Sequence, residues 1–312
     1  MPDGIKAEVT IATRRHQASR WPKLRTTEGV LIAFFTYVAV LSVWFPSRPL
    51  LRGQAWVFLL AAVVPILSLA QAQRLPRIAF AVGFLRDLLP FALTFAAFQE
   101  MELFRPSHFQ HHFENIWIHW DDVVLRQWHG RSLIESLGAA IPWFLEACYL
   151  CVYGVGLFGV AVLYLLRRRD QVDRFLALYV SGTLLAYAFF PYFPSQPPRL
   201  LFPNVDPPQF LTAMRTLNLW ILQEGTIHSS VFPSAHVSSA FSAAWGMFFV
   251  LPRRKMFGGA MVTYAVCVSV ATVYGRYHYV ADALAGFGIS LVVACLARIY
   301  LVRKRRIPVN LA

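Results

Sequence analysis

Charge is scarce in this 312-residue sequence: Asp, Glu, Lys and Arg make up 14% of it, against 57% hydrophobic residues. That excludes an ordinary water-soluble domain, in which roughly a quarter of residues are charged. Acidic residues are scarcer still, 16 against 29 Lys and Arg, for a formal charge of +13. No basic stripe with interleaved aromatics accompanies that charge, so it argues against a nucleic-acid partner and for membrane topology and anionic lipid. Cysteine is limited to Cys148, Cys151, Cys267 and Cys295, all in apolar runs. Cys148 and Cys151 form a CxxC without the βαβ setting of a redox motif, so packing is their expected role. Internal repeats, low-complexity linkers and alternating apolar–polar strands are missing too, and the last absence argues against a membrane β-barrel.

Long apolar runs are what the sequence has. Eight windows could cross a bilayer: residues 29–45, 55–69, 78–98, 142–166, 175–190, 231–251, 257–274 and 280–301. The expectation is an all-α, polytopic membrane bundle of about eight transmembrane helices. It divides into a basic N-terminal segment (1–27), a membrane domain (28–302) and a basic tail (303–312). The first run follows a basic segment and has no A-x-A-like cleavage site, so it reads as a signal anchor. Connections on one side of the membrane, with both termini, hold 19 of the 29 Lys and Arg; those on the other side hold eight. By the positive-inside rule both termini are cytoplasmic, in a plasma or inner membrane. Two non-cytoplasmic connections are long, 99–141 and 193–230, and long loops are usually functional. The first, with "FENIWIHWDDVVLRQWHG", reads as an amphipathic helix at headgroup level.

Three polar clusters fall at the same non-cytoplasmic level: "PYFPSQPPR" (191–199), "SSVFPSAHVSSAF" (229–241) and "YGRYHYVAD" (274–282). They bring Arg199, Ser234, His236, Arg276, His278 and Asp282 within reach of one another. His278 and Asp282 are four apart at a helix start, which puts both on one face with Cβ atoms about 5–6 Å apart. A carboxylate there can fix the imidazole tautomer and leave the other nitrogen basic. The alternative is a neutral histidine held for structure. Pro233 and Ser234 open a helix whose free N–H groups suit a phosphate, or simply cap it. Arg199 follows two prolines that would hold its guanidinium in place, unless it merely snorkels to the interface. Two arginines suit a phosphoryl group because each offers a planar fork.

"FPSAH" and "RYHYVAD" resemble the second and third motifs, PSGH and SRxxxxxHxxxD, of the type 2 phosphatidic acid phosphatase/haloperoxidase superfamily. The resemblance covers about residues 170–303. "PSQPPR" followed by "RYHY" is similar to its inositol phosphorylceramide synthase-like branch, the inositolphosphotransferases. It implies a helical lipid-phosphatase-like core of six helices and metal-independent chemistry without a cofactor. It implies His278 as nucleophile, Asp282 as its orienting partner and His236 as acid/base. Arg199, Ser234 and Arg276 become phosphate-site groups, and membrane lipids become donor and acceptor. The sequence departs from the family pattern at four places: Tyr192 stands for the first-motif lysine and Leu200 for the proline after Arg199. Ala235 stands for the second-motif glycine, and Ala271-Thr272 stand for the third-motif Ser-Arg.

Other polar residues have competing readings. Arg86 and Asp87 within the third span are headgroup contacts or structural pairs. Glu146 in the fourth is similar, with an arginine as its expected partner. Asp121 and Asp122 bind a polyol headgroup or start a surface helix. His108, His111, His112 and His119 lack a closed ligand set, and an interfacial role is expected instead of a metal. For function, transfer of a phosphate-bearing headgroup leads through a phosphohistidine-type intermediate, with hydrolysis of a lipid phosphomonoester as the alternative. A transporter with an intramembrane ionisable path is the reading from another class. A catalytically silent scaffold is a further possibility, opposed by the intact His236, His278 and Asp282. The sequence leaves oligomeric state open.

Overall fold

The computed structural model describes residues 22–44 and 49–306. Lys6, Arg14, Arg15, Arg20, Arg48 and the tail beyond Arg306 lie outside the described residues. All regular structure among the described residues is helical: α1 (Thr26–Trp44), α2 (Pro49–Ala72), α3 (Ala79–Glu100), α4 (His112–Asp122), α5 (Gly130–Glu135), α6 (Ala140–Cys151), α7 (Val155–Leu165), α8 (Val172–Phe189), α9 (Pro198–Leu201), α10 (Ala213–Gly225), α11 (Ala235–Val250), α12 (Lys255–Tyr274) and α13 (Val280–Arg306). A polytopic helical bundle is therefore the architecture. Among the described residues, seven stretches are long and apolar enough to cross a membrane: Thr26–Trp44, Gly53–Ala72, Ala79–Phe104, Ala140–Leu165, Arg169–Tyr192, Lys255–Tyr274 and Val280–Tyr300. Each matches one of the eight windows.

The remaining window, 231–251, is the exception. Residues 231–234 lead into α11 without being helical, and α11 has only 16 residues. At 1.5 Å per residue that is about 24 Å, short of a hydrocarbon core of about 30 Å. Yet α11 is the hub of the bundle, packed against α7, α8, α12 and α13. Its small residues permit that enclosure, as small residues do wherever membrane helices approach closely. A Cβ on Gly182 of α8 would lie 1.9 Å from Ser242 Oγ, and one on Gly286 of α13 would lie 2.3 Å from the Ser234 carbonyl oxygen. Ser238 Oγ donates to the Gly182 carbonyl at 2.8 Å, satisfying its hydroxyl inside the contact.

Helices α1 and α3 pack along α8, α2 packs on both of them, and a network of charges ties their ends together away from the 275–282 turn. Asp173 accepts from the backbone N–H groups of Thr26 and Thr27 at 3.0 and 3.1 Å, completing the start of α1. Arg86 binds Glu28, with Nε to Oε1 at 2.6 Å, and also reaches Gln73. Asp87 is held by Arg25 at 2.6 Å, by Arg169 at 3.2 Å and by the Tyr164 hydroxyl. The adjacent pair Arg86–Asp87 thus serves two separate joints, because neighbouring helix residues point in different directions.

Candidate active site

The site begins with a tight reversal between α12 and α13. Thr272, in the last turn of α12, has a carbonyl that accepts from both Tyr277 N, at 2.9 Å, and His278 N, at 3.1 Å. Between them Arg276 takes a left-handed backbone, φ +62°, uncommon for a residue with a side chain. Two contacts hold it there: its guanidinium pairs with Asp121 at 2.6 Å, and its carbonyl accepts from Arg199 N at 3.1 Å.

His278 follows and turns inward. Its Nδ1 meets Asp282 Oδ2 at 3.1 Å, and the same oxygen accepts from Tyr279 N at 3.0 Å. The other ring nitrogen, Nε2, lies 3.3 Å from Nδ1 of His236, in the first turn of α11. Asp282 is fully buried and His278 is 6% exposed. Burial, and then the positive charge of Arg199, push the His278 imidazole down to about 3, so the ring is neutral near pH 7. Ser234 caps α11, its hydroxyl accepting from Val237 N at 3.4 Å, while its own N–H donates to the Asp282 carbonyl at 3.0 Å. That hydroxyl is engaged in the cap, and the start of α11 is tied to the start of α13.

Arg199 enters from α9, just behind Pro197 and Pro198. Its guanidinium lies over the Tyr277 ring, 5.8 Å from the centroid, and burial lowers its pKa. Tyr277 stacks on Tyr149 at 4.1 Å, and Tyr149 lies 5.0 Å from the His236 ring. The Tyr277 hydroxyl donates to Glu146 at 2.6 Å; Arg215 Nη1 and Asn218 Nδ2 reach the same carboxylate at 2.8 and 2.7 Å. Glu146 therefore does partner an arginine, and it anchors the tyrosine shelf from below.

A cavity of about 360 Å³ is lined by His236, His278 and Arg199. Much of the rest of its wall is apolar, with Phe91, Phe95, Phe98 and Leu157. Arg276 does not line it; it lines an adjoining chamber on the far side of Arg199.

The long connection 99–141 straps the site from outside. On α4 the buried face carries Glu114, Trp117 and Asp121, while Phe113, Ile116 and Trp120 point outward. This reverses the soluble pattern of apolar-inside helices. Glu114 accepts from Gln196 N at 3.1 Å, Asp121 accepts from Val280 N at 2.8 Å, and Trp117 stacks on Phe232 at 4.8 Å. One helix face thus touches all three polar segments. Burial pushes Asp121 up to about 6, against the opposing pull of Arg276.

Of the residues singled out in the sequence, the structure gathers His236, His278, Asp282 and Arg199, with Ser234 and Arg276 beside them. Asp121 and Glu146 stand behind as supports. Asp122 lies apart, paired with Arg126 at 2.6 Å, and Arg86 and Asp87 belong to the opposite end. His111 meets Glu114 at 3.2 Å. Tyr192 extends to Tyr37 on α1, hydroxyl to hydroxyl at 3.1 Å. Sequence reasoning missed Tyr149, Tyr153, Arg215, Asn218 and Glu114. Tyr277 sat inside "RYHY" and could have been found there; the others carry no local signal.

Comparisons with known proteins show what family the chain resembles. The PAP2 superfamily model matches residues 119–296, which hold the last part of the strap, the tyrosine shelf and both histidines. A PA-phosphatase related-family protein of Dictyostelium discoideum is 28% identical over 138 residues, covering 39% of this chain and 22% of that protein. The chain thus aligns with about a fifth of the length of this curated relative. No solved structure matches the chain. The family match extends over more than half of the sequence, and the chain belongs to the PAP2 superfamily.

Proposed function

We propose that this membrane protein transfers a phosphate-bearing headgroup from one lipid to the hydroxyl of another, with His278 as the nucleophile. The observation that carries the proposal is the relay Asp282–His278–His236, spaced at 3.1 and 3.3 Å, with both histidines in the wall of a largely apolar cavity. Neutral His278, with its Nδ1–H held by Asp282, presents the Nε2 lone pair to phosphorus. The two rings touch, so a bound phosphate must part them, and His236 turns toward the leaving oxygen. His278 Nε2 bonds to phosphorus as the P–O bond to the leaving group breaks. His236, protonated in the complex with the anionic phosphate, gives its proton to that oxygen. Arg199 and the N–H groups at the start of α11 offset charge on the remaining oxygens. An acceptor hydroxyl then attacks the phosphohistidine, losing its proton to His236 and releasing His278.

The inositolphosphotransferase-like form of this reaction is supported by the "PSQPPR" and "RYHY" segments and by the largely apolar wall of the cavity, which suits lipid better than water. Hydrolysis uses the same first half-reaction with water as acceptor. Basic-residue asymmetry supports cytoplasmic termini and a site on the opposite face. The test is a mass-spectrometric screen of lipid donors and acceptors with purified protein, wild type beside His278→Ala. Headgroup exchange between lipids supports transfer, and release of water-soluble phosphate alone makes the protein a hydrolase. Full activity in His278→Ala would sink the nucleophile assignment.

A further inference from the structure

Two cavities meet at Arg199. The one beyond the histidines has a volume of about 540 Å³, and Arg199, Arg215, Arg276, His228 and Gln223 are in its wall. Two carboxylates contact those three guanidiniums: Asp121 on Arg276 at 2.6 Å and Glu146 on Arg215 at 2.8 Å. Among the described residues Arg199 has no carboxylate partner, and it is close enough to Arg215 for the two cations to repel. Arg276 is 2% exposed, yet its Nε and Nη2 carry no hydrogen bond. Buried donors without acceptors are costly, and for a guanidinium the matching acceptor is a planar pair of carboxylate or phosphate oxygens. His228, beside Glu102 at 3.6 Å, completes the wall.

We propose that this chamber is a second anion subsite that takes a phosphate group, next to the one that meets His278. The statement that a first phosphate meets His278 rests on the function proposed above; the chamber's own affinity does not. No bond is made or broken there. Its ligand is a second phosphate on the headgroup of a bound lipid, or free inorganic phosphate. A phosphate in the chamber would balance the surplus charge of Arg199 beside Arg215 and Arg276.

Calorimetry on the full-length His278→Ala protein in detergent separates the sources. Three probes are titrated: inorganic phosphate, short-chain phosphatidic acid with one phosphate, and short-chain phosphatidylinositol phosphate with two. Gln223→Glu, at an exposed rim position, puts a negative charge at the chamber while leaving the buried network intact. Arg276→Gln is the second variant. At least tenfold tighter binding of the two-phosphate lipid, erased by Gln223→Glu, assigns the headgroup. Binding of inorganic phosphate that both variants weaken tenfold or more, without a two-phosphate advantage, assigns free phosphate. Binding of every probe unchanged by Gln223→Glu places all of it at the histidines and overturns the subsite. If His278→Ala keeps its turnover, the nucleophile assignment falls while the inorganic phosphate titration remains readable.

Discussion

The bundle contains two buried charge clusters, one at each end, and they are built differently. At the α1–α3 end, Arg86 is answered by Glu28 and Gln73, and Asp87 by Arg25, Arg169 and Tyr164. At the other end Arg199 has no carboxylate among the described residues, and half of the Arg276 guanidinium is idle. Both clusters tie helices together, but only one keeps donor capacity in reserve. A cluster that satisfies itself is a joint. A cluster that leaves donors over is what the proposed phosphate would complete.

Substitutions can break that contrast. The largest effect is expected from Asp282→Asn, which keeps the shape but loses the charge that orients His278. Turnover should fall roughly 10²–10⁴-fold, with the drop in kcat and not in KM. Next comes Arg199→Gln, which removes the uncompensated cation. A loss of about 10²–10³-fold in kcat/KM is expected, with stability unchanged or improved because a half-buried charge without a carboxylate partner is gone. Retained activity would show that the phosphate sits elsewhere.

Asp121→Asn should act mainly through pH. Asp121 titrates near 6 in the folded protein, against 3.8 for an ordinary aspartate, so between these values the folded state binds more protons than the unfolded one. Wild-type stability should therefore fall relative to Asp121→Asn as pH rises from about 4 to 6, then run parallel to it above. Melting temperatures across that range measure this, and a gap independent of pH would show that Asp121 stays charged throughout. The smallest catalytic effect is expected from Arg86→Ala. It strands Glu28 and should cost roughly 3–5 kcal/mol of stability, while kcat of the folded protein stays within about twofold. A hundredfold loss of kcat there would erase the distinction between joint and site.

Much of this was legible before any coordinates. Periodic apolar runs located seven of the spans, and "FPSAH" and "YHYVAD" marked the histidines and the aspartate, because the i,i+4 spacing of His278 and Asp282 is local. What the runs could not show was that 231–251 starts with a non-helical lead and forms a short enclosed hub. Hydropathy measures apolarity, and a helix buried in protein looks the same as one facing lipid.

Arg276 marks the boundary between the two kinds of information. Its place in "YGRYHYVAD", two residues before His278, suggested a contact with the same phosphate. The left-handed backbone at that position instead sends it to Asp121, 155 residues away in sequence, on the other side of Arg199. The same holds for Glu114 and Gln196, for Glu146 and Tyr277, and for Asp87 and Arg169. Sequence by itself determined the class of molecule, the apolar spans and the residues of its two motifs, because those depend on composition and on neighbours within one helical turn. Only the tertiary structure decided which charges are neutralised, since pairing across a bundle depends on which helix faces meet, and no local pattern encodes that.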